Sequence, residues 1–367
     1  MDNILHRVNL DIRALAIYLP QFHPIPENDE WWGMGFTEWT NVAKAQSRFP
    51  GHYQPQLPTD LGFYDLRVTE TRQLQVDMAR QYGIQGFCYY HYWFNGRRIL
   101  ERPFEEVLAS GQPDFPFCLC WANENWTRRW DGQEAEVLLK QDYSKEDDLL
   151  HIQYLAKVFA DPRYIRIDNK PVFIVYRTEL FPNIRETVET WRKECIRLGI
   201  GEIYLIRVER FSGNTSPTET GFDAAMEFQP DGHDFPERYY GSLKEKLLVK
   251  AGLQTSPYQR DQVYLYEQYI ENVMARPQAA YKKFPCVTPA WDNSARRKEN
   301  ALIIHGSTPA LYEKWLKHAS DTFIPYSKDE NLLFINAWNE WAEGNHLEPC
   351  QKWGRQYLEA TARVLLK

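Results

Sequence analysis

Short, nearly unbroken apolar runs alternate along the chain with longer segments in which apolar residues recur every three to four positions. Runs such as FCLCW, VFIVY and LLFINAW have the composition of strands buried on both faces, while the longer segments have the period of amphipathic helices. The strand-like runs are Arg13 to Leu19, Gly86 to Trp93, Phe115 to Trp121, Pro171 to Tyr176, Ile203 to Val208, Ala224 to Phe228, Pro285 to Ala290 and Leu332 to Ala337. Helical periodicity covers Val68 to Tyr82, Lys145 to Phe159, Asn183 to Leu198, Val263 to Lys283, Pro309 to Ala319 and Arg355 to Leu366. Strands alternating with helices predict a parallel α/β architecture. Eight strands without a Gly/Ser-rich linker or a shift of composition predict one domain over residues 1–367, a single (β/α)8 barrel with long loops at its C-terminal face. Two stretches, Pro20 to Leu66 and Arg210 to Gln262, exceed ordinary barrel turns, and loops of that size are usually functional. Gly33-Met34-Gly35 lacks the third glycine of a dinucleotide fingerprint, and no phosphate-binding G-x-x-x-x-G-K-[ST] occurs.

Charge narrows the partners. Lys and Arg number 43 against 50 Asp and Glu, a net of −7, so there is no basic excess to neutralise a nucleic acid. No window has the roughly 18 uninterrupted apolar residues of a spanning helix, so no integral membrane segment is expected. Asn9, Asp11 and Arg13 interrupt the start where a signal peptide would keep its apolar core. The six cysteines lie mostly in strand-like runs, and Cys118 and Cys120 share one strand face with no second Cys/His pair at zinc-ligand spacing. Buried reduced thiols, a cytoplasmic location, no metal and no cofactor are the expectations.

In such a barrel the reacting groups sit just beyond the carboxyl ends of the strands. Those ends share a composition: Tyr18 to His23; Tyr89 to Trp93, with His91; Trp121 to Trp126, with Asn123 and Glu124; Glu227 to Gln229; Trp291-Asp292-Asn293; and Trp338 to Gly344. Each combines aromatics with a carboxylate, an amide or an imidazole. A ring face covers the apolar C–H side of a sugar while carboxylates and amides pair with its hydroxyls, so an oligo- or polysaccharide is the expected substrate. An isolated Asn-Glu pair would read as a helix cap, but the repetition at equivalent ends favours a site. The sharpest pair is Glu340-x-x-Glu343, which a tight turn would hold close enough to couple the two titrations. With Trp338, Trp341 and Pro349 around them, one carboxyl can stay ionised while the other keeps its proton, the division of labour of glycosidic bond cleavage. Tyr18, His23, His91, Trp93, Asn123, Glu124, Trp126, Glu227, Trp291, Asp292, Asn339 and His346 complete the expected binding set, with Asn339 placed to donate to Glu340 or to a sugar hydroxyl.

The run FINAWNEWAEGNHLEP, Phe334 to Pro349, resembles the closing motif (F/W)NEWxEGxxxEP of glycoside hydrolase family ninety-nine, the endo-α-1,2-mannosidases. The runs YLPQFHPIPENDEWWGMGFTEWTNVAKA and PGHYQPQLPTDLGFYDL resemble still more closely the WbsX-type proteins. These share that barrel and are described as glycosyltransferases of lipopolysaccharide or O-antigen synthesis, and the resemblance covers essentially the whole chain. It implies that Glu340 deprotonates the sugar 2-hydroxyl, which attacks its own anomeric carbon, and that Glu343 acts as general acid and then base. Tyr18 is similar to the tyrosine after the mannosidases' first strand. Their Tyr-Pro-Trp is replaced here by Leu-Pro-Gln, so mannose specificity does not carry over. The implied activity is cleavage or transfer of α-linked glycosyl units with retention. One alternative is a sugar-nucleotide-dependent glycosyltransferase, for which no Asp-x-Asp is present and for which Arg128-Arg129 or Arg97-Arg98 would have to bind the diphosphate. A glycan-binding protein without catalysis would leave the Glu pair unexplained.

Overall fold

A computed structural model describes residues 12–128, 133–209, 215–253, 256 and 258–366. Eight parallel strands form the barrel wall: β1 (Arg13–Tyr18), β2 (Gly86–His91), β3 (Phe117–Trp121), β4 (Lys170–Val175), β5 (Tyr204–Glu209), β6 (Ala224–Glu227), β7 (Lys283–Phe284 with Cys286–Val287) and β8 (Leu332–Ile335). Neighbours pair in chain order from β1 to β6, and β1 returns to β8 with Arg13 opposite Leu332 and Ala16 opposite Ile335. The ring closes through β7, which is split at Pro285. Its first half pairs with β6 and its second with β8, and a proline, lacking an N–H, sits where the strand changes partner. The wall residues are almost all fully buried, which explains the unbroken apolar runs. Gly86 on β2 is there for space: a Cβ would lie 2.9 Å from Leu15 Cδ2, Ile165 Cδ1 and the Pro116 carbonyl oxygen.

The helices begin where the sequence carries caps. α5 (Lys145–Phe159) starts at Ser144, whose side chain accepts from Asp147 N, and its first turn is acidic as the helix dipole favours. α6 (Ile184–Arg197) starts at Asn183 and α9 (Pro309–Thr322) at Thr308 followed by proline. α3 (Thr69–Gln81), α8 (Tyr266–Met274) and α10 (Gln356–Leu365) complete the expected set, and the structure adds α4 (Arg102–Ser110), which has Pro103 in its first turn and ends at the left-handed Gly111.

Two expectations are corrected. The helix expected over Val263 to Lys283 is only α8. Gln262–Leu265 is a strand pairing with Leu302–His305, which pairs in turn with Trp291–Asp292, and Pro277 prevents the helix from running on to β7. The expected loop Pro20 to Leu66 holds α1 (Pro26–Trp32) and α2 (Glu38–Lys44), and the expected loop Arg210 to Gln262 holds α7 (Leu243–Lys250). Helix α2 reaches the C-terminal end of the barrel. Its Trp39 ring packs 4.8 Å from Phe22, 5.1 Å from Tyr64 and 5.4 Å from Trp341, which clamps the helix there. All six cysteines are buried free thiols.

Candidate active site

Beyond β8 the chain makes a tight reversal. Asn339–Glu340 pairs antiparallel with Asn345–His346, and one 3-10 turn, Trp341–Glu343, joins them. Gly344 closes the turn at φ 55°, where a Cβ would lie 2.7 Å from Gln56 Nε2. The turn is pinned from beneath. Trp341 stacks on His346 at 3.7 Å and donates to Glu348 Oε2 at 2.6 Å; the Tyr64 hydroxyl and Gln75 Nε2 donate to the same carboxyl at 2.8 and 2.6 Å. Asn339 accepts from Leu19 N at 2.7 Å and donates to Leu19 O at 3.0 Å, tying the turn to β1.

This reversal places Glu340 and Glu343 on the wall of a cleft of about 320 Å³. Tyr90, Tyr92, Trp126, Tyr176, Phe228 and Trp291 supply aromatic surface, and Gln21, Glu124, Asn125, Thr127 and Asn293 supply polar atoms. Between the two carboxyls lies Arg296, which donates to Glu340 Oε2 at 2.9 Å and to Glu343 Oε1 at 2.6 Å. The same guanidinium donates to Glu38 Oε1 from Nε at 2.8 Å and from Nη2 at 2.5 Å. Three acids thus share one cation in a mostly buried site. Burial, then the charge of Glu343, pushes the Glu340 carboxyl up to about 8, against the pull of Arg296. Burial raises Glu38 as well, again opposed by Arg296. Loss of solvent around the half-buried Tyr90 and Tyr92, together with the nearby acids, pushes their hydroxyls well above the usual phenol range.

The expected binding residues divide. Glu124, Trp126 and Trp291 line the cleft together with Glu340 and Glu343. The others are displaced from it, mostly by strand alternation. On β2 the cleft receives Tyr90, with Tyr92 just beyond the strand, so His91 and Trp93 point outward: His91 Nε2 meets His151 Nε2 at 3.0 Å, and the Trp93 indole donates to Asp147 at 2.9 Å. Tyr18 is buried and donates to Gln75 Oε1 at 2.7 Å. Asn123 is a brace, donating to the Tyr143 hydroxyl and the Arg177 carbonyl and accepting from Arg177 N. Asn339 holds Leu19, not Glu340. Glu227 faces the outside of the barrel, where Arg276 reaches it at 3.3 Å, while its neighbour Phe228 enters the cleft.

Asp292 lines a second, smaller cavity of about 90 Å³, where it accepts from Gln54 and pairs with His52 at 2.7 Å; His346 lines the same cavity, which Trp291 borders as well. His23 is buried, and burial pushes its imidazole down to about 4. Arg129 and the side chain of Arg128 lie outside the described residues, and Arg97 pairs with Glu27 at 2.5 Å.

The residues that the sequence reading missed are Glu38, Arg296, Tyr90, Tyr92 and Glu348. Arg296-Arg297 follows the strand-seven end Trp291-Asp292-Asn293 by three residues, and a basic pair among acidic strand ends was the available signal. Glu38 carried none, because its position depends on how α2 folds back.

Comparison with known proteins agrees with this architecture. Solved structures resembling the chain include a glycoside hydrolase-like protein, with a TM-score of 0.62 at 14% identity over 98% of this chain and 95% of that one. The family ninety-nine endo-alpha-mannosidase of Bacteroides thetaiotaomicron has a TM-score of 0.56 at 15% identity over 97% of both chains. At these identities the likeness is one of fold. Sequence relatives are two uncharacterized WxcX proteins of Xanthomonas campestris pv. campestris, from strains B100 and ATCC 33913, each 41% identical over 359 residues and 98% of this chain. The chain spans about half the length of these curated relatives. Residues 14–361 match the family described as Glycosyltransferase WbsX, and a match over nearly the whole chain means that this protein belongs to the WbsX glycosyltransferase family.

Proposed function

We propose that this carbohydrate-active enzyme cleaves or transfers α-linked glycosyl units of an oligo- or polysaccharide with retention, in bacterial lipopolysaccharide or O-antigen metabolism. The observation that carries the reading is the Glu340–Arg296–Glu343 bridge in an aromatic-walled cleft. Arg296 holds one oxygen of each carboxyl and leaves the other for proton transfer. In the first step the ionised Glu340 takes the proton of the sugar 2-hydroxyl as O2 bonds to the anomeric carbon. The glycosidic C–O bond breaks, and the departing oxygen takes the proton of Glu343. In the second step Glu343 removes a proton from water or an acceptor hydroxyl, which attacks the anomeric carbon. The C1–O2 bond opens, and O2 recovers its proton from Glu340. Two inversions amount to retention. Burial raises the Glu340 carboxyl, which makes it the stronger base towards a weakly acidic hydroxyl once it is ionised.

The test uses an activated 2-deoxy-2-fluoro glycoside and intact-protein mass spectrometry, with NMR of the anomeric product from a competent substrate. Retention without an adduct on Glu340 is expected. A stable ester on Glu340 would replace the 2-hydroxyl route by a carboxylate nucleophile, and an inverted product would remove the reading. A second reading, transfer from a sugar nucleotide, draws on Arg297, which lines the cleft beside Arg296 and is of the residue type that binds a diphosphate. Release of a nucleoside diphosphate from sugar nucleotides, with α-linked oligosaccharides left intact, would select it.

A further inference from the structure

Among the described residues, helix α7 differs from every other helix of eight or more residues in that none of its residues is buried. It stands on the body of the protein through its cap: Ser242 N donates to Glu245 Oε2 at 2.6 Å and the Tyr258 hydroxyl donates to Glu245 Oε1 at 3.2 Å. At about 100° per residue, Lys246, Lys250, Leu243, Leu247 and Lys244 follow one another around a continuous arc of roughly 160°. That arc is the exposed one: Leu243 is 80% and Leu247 66% exposed, and all three lysines are exposed. Just past the helix Leu253 is 76% exposed, and just before it Tyr240 is 42% exposed. Half-buried Glu245, Leu248 and Val249 occupy the opposite arc.

We infer that this face of α7 docks on an anionic lipid bilayer surface. Leucines flanked on both sides by lysines form the surface pattern of a helix lying in the membrane interface. There the apolar side chains enter the acyl boundary while the ammonium groups rise to the headgroups. The local charge is opposite in sign to that of the protein, whose net is −7, so the attraction belongs to this face. A second copy of the chain fits worse, because a twofold contact would press lysine against lysine. Contact is shallow and reversible, since one short helix supplies the anchor. It would hold the enzyme beside glycans carried on lipid, which goes beyond the reaction proposed above.

The experiment is flotation of the intact chain with vesicles of phosphatidylglycerol and phosphatidylcholine in equal parts, against phosphatidylcholine alone. Binding only to the anionic vesicles, weakened by salt, is expected. Leu243→Ser/Leu247→Ser and Lys244→Glu/Lys246→Glu/Lys250→Glu should each reduce the bound fraction about tenfold or more. Both should melt like the wild type, because the altered side chains touch no core. Absence of binding, equal binding to neutral vesicles, or variants that float like the wild type would overturn the inference. So would a concentration-dependent dimer in sedimentation that the leucine variant abolishes, since the face would then belong to a second copy.

Discussion

Arg296 and Glu38 meet through a single carboxylate oxygen, Oε1, which accepts from Nε at 2.8 Å and from Nη2 at 2.5 Å while Glu38 is fully buried. Because α2 carries Glu38 and the segment after Trp291–Asp292 carries Arg296, two chain regions more than 250 residues apart set the geometry of the Glu340–Glu343 pair. Glu38 orients the guanidinium, and the guanidinium orients Glu340 and Glu343.

Removing Arg296 alone should cost more than removing it together with Glu38. Arg296→Met leaves Glu38 buried without its cation, and a stranded buried charge costs about 3–5 kcal/mol. Glu38→Met/Arg296→Met should recover the part of that loss due to Glu38, while Glu340 and Glu343 still lack their shared cation. Urea denaturation of the two variants is the measurement, and equal destabilisation would mean that the contact adds nothing.

Glu340→Gln and Glu343→Gln should each lower turnover by roughly 100-fold or more, because each keeps its shape and loses a proton-transfer role. Circular dichroism should show an unchanged fold. Turnover near that of the wild type in either variant would reject the roles given to the pair.

The pH profile carries a sign. In the proposed step Glu340 is the base and must be ionised, and burial followed by the charge of Glu343 pushes its carboxyl up to about 8, so kcat/KM should climb from acidic pH towards that value, as long as the leaving oxygen can still take a proton. Glu38→Gln removes a negative charge that helps to raise that value, and so should move the rise to lower pH. An activity that falls over the same range would give Glu340 the acid's part instead.

Glu348 offers a stability test independent of substrate. Burial raises its carboxyl from 4.5 to about 7 despite the donors Trp341, Gln75 and Tyr64. The folded state therefore binds its proton more tightly than the unfolded chain. The contribution is complete below about pH 4.5 and is lost as pH rises through about 7. Tm should carry a falling component between those values that Glu348→Gln removes. An identical Tm profile in the variant would show that this carboxyl does not titrate there.

How far the sequence reaches is visible strand by strand. Short unbroken apolar runs rich in β-branched and aromatic residues fit strands buried on both faces, so the eight wall strands were legible, and the closeness of Glu340 and Glu343 was legible because three-residue spacing in a tight turn is a local matter. Side-chain direction at the strand ends was not. Alternation is strict inside a strand, but which parity faces inward depends on the neighbours; Tyr90 and Tyr92 entered the cleft and left His91 and Trp93 outside. Phe228 likewise replaced Glu227. A conspicuous polar residue at a strand end can brace the backbone without lining the cleft, as Asn123 and Asn339 show. Only the tertiary structure decided the cation that binds the acids together. Glu38, Arg296 and Glu340 lie far apart in the chain, and their meeting depends on α2 folding back over the barrel, a long-range packing outcome that local pattern does not encode. By itself, then, the sequence determined the barrel and the acidic pair, because strand burial and turn spacing are local properties. Packing determined which side chains face the pair and what charge they carry.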